Sequence, residues 1–479
     1  MPSLTLLLAI LLLLNSTLPS HAAASKADTA FMIFSTVLVL LMTLPGLALF
    51  YAGLVRTKNV VSVLMHVFTT VCLVCILWLI YGYSLAFTGG GQYGSFIGGW
   101  SKVMLSGVSV TSEVATFSNG VTIPEFVYVW FQMTFAAITA ALIVGAFAER
   151  IKFQALLLFV VLWTTLVYCP IAHMVWYWPG PDALASAARD VAASAGLAKL
   201  DAQARLDALI AESGLLYRWG AIDFAGGTVV HVNAGIAGLV GALILGPRTG
   251  YGREAMPPHS LVLSMVGACL LWVGWFGFNC GSNLEANGTA ALAMGNTFVA
   301  TAAAALGWIA TEWVVSGKPR ILGATTGAIA GLVAVTPASG FAGPAGALAL
   351  GLVVSPICYA FCTSIKSALG YDDTLDVFGV HGIAGIVGAL GTGIVVNPAF
   401  GGTGVADYVV KPGDVVFAYD MATQMTAQVK AVAVTILWSG GVSAVIFWLL
   451  ALTIGLRRND DAQRLGLDIA EHGERGYNY

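Results

Sequence analysis

Eleven long apolar segments, beginning near Ala30, Val60, Phe126, Phe153, Phe224, Ser260, Thr289, Ile321, Pro344, Val377 and Gln428, take up most of the 479-residue chain. Each approaches or exceeds the ~20 residues that an α-helix needs to cross bilayer hydrocarbon. With 58% hydrophobic and only 9% charged residues, against about 25% charged in soluble domains, the chain carries more apolar surface than a soluble fold can bury. Its net charge of -3 is spread over short loops. There is neither a basic patch for nucleic acid nor an acidic tail, so nucleic acid is not an expected partner. The expectation is an all-α integral membrane protein of eleven transmembrane helices in contact with the lipid bilayer.

Positive charge follows the odd-numbered segments: Arg56 and Lys58, Arg150 and Lys152, Arg248 and Arg253, Lys318 and Arg320, Lys366, then Arg457 and Arg458. Such loops stay inside, which puts the N-terminus outside and the C-terminus inside. Residues 1–24, with an apolar core from Leu4 to Leu14, Pro19 and Ala22 to Ala24, read as a cleaved secretory signal, although no Lys or Arg precedes Leu4. The membrane domain is then 25–456, followed by a cytoplasmic tail, 457–479. An Ala-rich stretch, 179–218, interrupts it on the outer side. Leu197, Leu200, Leu206, Leu209 and Ile210 among its charges predict a small amphipathic helical elaboration. The seven cysteines all fall in apolar stretches and are odd in number, which speaks against a disulfide framework. Cys72 and Cys75 are two small apolar residues on one helix face.

The pattern D-x7-H-x2-A-G-I occurs twice, from Asp223 with His231 and from Asp373 with His381. The copies open the fifth and tenth segments. Five spans per unit is an odd number, so the second unit enters the membrane upside down relative to the first. This is a 5+5 inverted repeat with its site between the halves, plus a last helix. One intramembrane histidine on a Gly-rich helix commonly does no more than tie two helices together. Two at matching places in an inverted repeat meet near mid-membrane, where ionisable side chains are costly and line pathways. Asp223 and Asp373, just ahead of their helices, suit helix N-caps. His66, His173 and His259 have no symmetric counterpart and read as structural or interfacial.

The stretches Asp223-Phe-Ala-Gly-Gly-Thr-Val-Val-His231-Val-Asn-Ala-Gly, Phe278-Asn-Cys-Gly-Ser282 and Asp376-Val-Phe-Gly-Val-His381-Gly resemble the ammonium transporter (Amt) family. So do Phe131-Gln-Met-Thr-Phe135, Gly145-Ala-Phe-Ala-Glu149-Arg150 and Pro170-Ile-Ala-His173-Met-Val-Trp176. The resemblance runs from about Asp28 to the C-terminus. It implies a homotrimer in the cell inner (plasma) membrane with one pore per subunit. Phe131, Phe135, Trp176 and Ser282 match the family's outer cation-recruitment site and Asp223 the aspartate beside it. Phe135 and Phe278 match the pore gate, and His231 and His381 the paired pore histidines. Cys280 stands where alanine is common in the motif, and the 179–218 insertion separates Trp176 from Asp223. Around Gly466-Leu-Asp468 and His472-Gly-Glu474 the tail resembles those of bacterial members, which bind a PII signal protein.

The residue types suit ammonium. Aromatic faces attract a cation by about 0.5 to 2 kcal/mol each, and a serine hydroxyl accepts an N–H bond. Potassium would enjoy the same cage, but only ammonium can give up a proton. An apolar gate penalises the bare ion far more than neutral ammonia, and paired neutral imidazoles offer donors and acceptors beyond it. No enzyme activity, cofactor or metal is expected: an intramembrane hydrolase would need a metal-ligand cluster that the sequence does not display. An ammonium sensor using the same pore is the alternative reading, although Asn459 to Tyr479 is too short to be an output domain.

Overall fold

The computed structural model describes residues 24–409 and 416–477. The proposed signal sequence therefore lies outside the described residues, apart from Ala24. Among the described residues, eleven helices are long and apolar enough to span a membrane: α1 Lys26–Leu54, α2 Thr57–Phe87, α3 Glu125–Phe147, α4 Phe153–Trp176, α5 Gly227–Leu245, α6 Leu261–Gly281, α7 Gly288–Ser316, α8 Ile321–Ala338, α9 Pro344–Leu369, α10 Phe378–Val395 and α11 Met421–Thr453. The count matches the sequence expectation. The boundaries shift where hydropathy is blind. Helix α11 starts seven residues before Gln428, because Asp420 caps it at Thr423 N (2.8 Å). Its polar first turns are also held by main chain: Gln424 donates to Gly220 O (2.9 Å), and Gln428 to Ile222 O (2.9 Å) and Ala389 O (2.7 Å).

Helices α3, α5, α8 and α10 are largely buried, whereas α7, α9 and α11 leave much of their length exposed. Close packing uses glycine where backbones touch. A Cβ on Gly267 of α6 would lie 2.2 Å from Phe50 N of α1. The outer loops add two short antiparallel hairpins, β1 Glu113–Ala115 with β2 Thr122–Pro124, and β3 Val405–Asp407 with β4 Val416–Ala418.

The outer insertion folds as two helices, Pro181–Ala193 and Gly196–Glu212, followed by a single helical turn, Leu215–Arg218. Its core differs from the expected leucine face. Leu184, Ala187 and Ala188 of the first helix meet Leu206, with Trp178, Leu209 and Tyr408 packed around them. Leu197 and Leu200 are 80% and 66% exposed. They precede the stretch that the first helix covers, so only the C-terminal half of the predicted face finds a partner.

On the cytoplasmic face a buried ionic network joins four loops. Glu149 accepts from Arg56 Nε (2.8 Å) and pairs with Arg248 Nη1 (3.3 Å). Arg248 also grips Asp372 with two nitrogens, at 2.9 and 2.8 Å. The network joins the loops α1–α2, α3–α4, α5–α6 and α9–α10 and so ties the two halves together. Burial raises the affinity of Glu149 for a proton, but the guanidiniums of Arg248 and Arg56 outweigh it and hold the carboxyl below its usual range. Asp372 is likewise lowered, because Arg248 outweighs its burial.

Carboxyls depressed in this way contribute stability that is present above their unfolded pKa of about 4 and is lost as pH falls through the folded value. The melting temperature in detergent is therefore expected to drop below about pH 4. Glu149→Gln should lower it at pH 7 by the equivalent of about 3 kcal/mol, since two guanidiniums lose a buried partner, and should flatten the acid limb. Unchanged melting at both pH values would show that the network carries no stability.

Candidate functional site

The two copies of the repeat fold alike. Asp223 lies just before α5, and its carboxylate accepts the N–H groups of Gly226 (2.9 Å), Thr228 (2.8 Å) and Val229 (3.0 Å). Asp373, just before α10, accepts Phe378 N–H (2.7 Å). Both aspartates are the caps that their positions predict. Each helix then opens with a π-helical turn, Gly227–Val232 or Phe378–Gly382, that carries its histidine. Wide turns of this kind concentrate at functional positions.

α5 and α10 cross at glycine: a Cβ on Gly235 would sit 2.3 Å from Gly382 Cα. That approach places Nδ1 of His231 and Nδ1 of His381 3.3 Å apart, with the rings stacked at 5.3 Å and 18°. At this distance one ring donates and the other accepts. Both are buried, and Nε2 of His231 has no partner among the described residues.

Toward the outside, Phe278 of α6 lies 6.0 Å from the His231 ring and stacks on Phe135 of α3 at 4.2 Å and 14°. Phe131, one turn before Phe135 on α3, is 4.9 Å from it, and Trp176 at the end of α4 meets Phe135 edge-on at 5.7 Å. Ser282, one turn after Phe278, donates to Phe278 O (2.9 Å), which leaves its oxygen lone pairs free to accept. Asp223 joins this group through its main chain, its carbonyl accepting Trp176 Nε1–H (2.8 Å), while its carboxylate is turned to the helix end. The insertion after α4 therefore does not displace Trp176.

Seven of the eight residues singled out in the sequence thus follow one another in order, the Phe131, Trp176 and Ser282 group, the Phe135–Phe278 stack, then the histidine pair, while Asp223 stands beside them and touches Trp176 through its main chain. The sequence reading missed Trp275. Its indole stacks on the His231 ring at 5.3 Å and 17°. Its Nε1 donates to Thr336 Oγ1 (2.8 Å) of α8, whose hydroxyl has Leu332 O (2.8 Å) and Asn279 Oδ1 (3.2 Å) within reach. The available signal was its position three residues before Phe278, on the same helix face.

The site therefore defines a membrane-embedded path with an aromatic stack at its outer end and two imidazoles behind it, the architecture of a transport protein. The chain belongs to the Ammonium Transporter Family, whose model matches residues 30–477. It is 42% identical to an ammonium transporter of Bacillus subtilis over 94% of this chain and 98% of the relative. It is 41% identical to one of Aquifex aeolicus, over 96% and 95%. Among solved structures it is similar to Saccharomyces cerevisiae Mep2, with TM-score 0.74, 28% identity and coverage of 92% and 89%. Similarity to a sensor Amt protein, with TM-score 0.77, 24% identity and coverage of 93% and 98%, concerns the fold alone. The family is one of transporters rather than enzymes.

Gly235→Ala tests the crossing directly. The added methyl meets backbone on α10, so the mutant should melt at lower temperature and lose transport. Wild-type melting and flux in that mutant would refute a crossing this tight.

Proposed function

We propose that this protein carries ammonium across the membrane by holding NH4+ against Phe131, Trp176 and Ser282 and that the ion gives up its proton on reaching the Phe135–Phe278 stack, either back to water on the outer side or to a relay through the imidazoles of His231 and His381. Ammonia then passes along His231 and His381. The observation that carries this reading is the stacked imidazole pair with an unpartnered Nε2 directly behind a closed aromatic gate. A cation at the outer group gains about 0.5 to 2 kcal/mol per aromatic face. Beyond the gate a charge costs about 3 kcal/mol even on lenient insertion scales, while neutral ammonia needs only hydrogen-bond partners. Loss of the proton at the gate is thus the step that separates ammonium from potassium. Trp275, itself held by Thr336, keeps the His231 ring nearly parallel to its indole.

On the same reading the chain works as a homotrimer in the plasma membrane. Residues 1–24 are its signal sequence, 25–456 its transport domain with the outer insertion 179–218, and 457–479 a tail that takes up a PII signal protein. Support comes from the family match and from the residues of the tail.

Proteoliposomes pulsed with ammonium, potassium and methylammonium test the mechanism. We expect an ammonium response with no potassium response, lost at least tenfold in His231→Ala plus His381→Ala. A current would mean that the proton crosses with ammonia, and alkalinisation without current would mean neutral passage. Unchanged selectivity in the double mutant would sink the role given to the histidines. No response from the wild type would favour the sensor.

A further inference from the structure

The tail folds back onto the cytoplasmic end of α2. Asp468 accepts Ser62 N–H (2.7 Å), Leu467 N–H donates to Asn59 Oδ1 (2.9 Å), and Lys58 Nζ donates to Arg464 O (2.6 Å). Below this contact a polar stripe runs into the membrane along one side of α2: Asn59, Ser62, His66 and Thr70, all fully buried. The spacing of three, then four and four, keeps them on one helix face.

Asn59 Nδ2, Ser62 Oγ, both ring nitrogens of His66, Thr70 Oγ1 and Nε2 of His472 in the tail are buried and find no partner among the described residues. Many buried helical threonines in this protein turn back onto the carbonyl four residues earlier, as Thr43 does to Val39 O (3.0 Å) and Thr297 to Ala293 O (2.7 Å). The Thr70 hydroxyl makes no such bond. The hydroxyls of Thr164 and Thr435 have no partner among the described residues either, and what marks this face is the clustering of such atoms on one stretch of helix. Buried polar atoms are overwhelmingly paired with protein or with ordered water. A run of them along about 16 Å of helix, with the unpartnered Oδ2 of buried Asp468 at its cytoplasmic end, is the lining of a wet site, since it mixes donors and acceptors.

The seam ends are also defined. At the cytoplasmic end the His472 ring stands edge-on to His66 at 6.3 Å and to Phe153 of α4 at 5.2 Å, while Phe153 stacks on His66 at 5.8 Å. Farther along α2, Trp78 closes the way out, its Nε1 donating to Val129 O of α3 (3.0 Å) and its ring edge-on to Tyr168 of α4 at 6.2 Å.

We propose that the Asn59–Thr70 face of α2 is a hydrated, dead-ended inlet from the cytoplasm, separate from the histidine path and roofed by the C-terminal tail through Asp468 and His472. Its ligand is ordered water. Undocking the tail opens the interior of α2 to the cytoplasm, so tail position sets how wet the α2–α4 contact is. The inference stands on the tail and α2 alone and does not depend on what the histidine path conducts.

Full-length Thr70→Cys in inside-out vesicles, treated with a membrane-impermeant methanethiosulfonate and read at position 70 by peptide mass spectrometry, tests it. Modification should be at least tenfold faster when Asp468→Ala is added to loosen the tail. No modification in either form would overturn the inlet, and equal rates would overturn the roof. Thr70→Val provides an independent reading on a protein that keeps its tail. In a wet seam the valine removes a partner from water and the melting temperature falls, whereas in a dry seam it removes an orphaned hydroxyl and the melting temperature rises, which would refute the proposal.

Discussion

The crossing of α5 and α10 at Gly235 and Gly382 is the contact on which the rest of the site depends. Only backbones stripped of Cβ can approach so closely, and only at that separation can imidazoles carried by the two π-helical turns come within hydrogen-bonding distance. The inverted repeat makes this economical, because one local motif, a capping aspartate followed by a wide turn with a histidine, is used twice. The surrounding elements then serve the pair. Helix α6 brings Trp275 against one imidazole face and Phe278 above it, and α3 closes the stack with Phe135.

Holding two halves in one register needs more than a crossing of small residues. The network of Arg56, Glu149, Arg248 and Asp372 does this at the cytoplasmic face, where charge is tolerated, and α11 does it along the membrane. Gln428 of α11 reaches both Ile222, ahead of α5, and Ala389 of α10, so one amide bridges the two repeats. The tail continues the same work, with Arg458 N–H on Arg150 O and Lys152 N–H on Leu456 O. The cytoplasmic face is therefore one connected assembly, in which tail, ionic network and the ends of both halves share partners.

Much of this was legible in the chain itself. Apolar length marked all eleven spans, and the doubled Asp-to-His spacing marked both the repeat and the histidine pair. The outer group was legible only through the resemblance to the ammonium transporter family, since an aromatic at helical spacing is otherwise packed core or lipid-facing. What escaped notice was polar or local in a misleading way. Gln424 and Gln428 hid the first turns of α11, because hydropathy cannot see a polar side chain that will be satisfied by a neighbouring main chain. The apolar stripe of the insertion promised one continuous face, but a partner helix of limited length covers only part of it. His66 looked like any lone histidine until the tail was seen to lie over it.

The sequence by itself determined the number of spans, their orientation and the kinship of the two halves, because these depend on local length, charge and repetition read against a bilayer. Only the tertiary structure decided which side chains meet. His231 and His381 are 150 residues apart, and Asp468 finds Ser62 from 406 residues away. No periodicity encodes contacts of that range; they exist because helices pack in one arrangement, and a difference of one methyl group at Gly235 would change it.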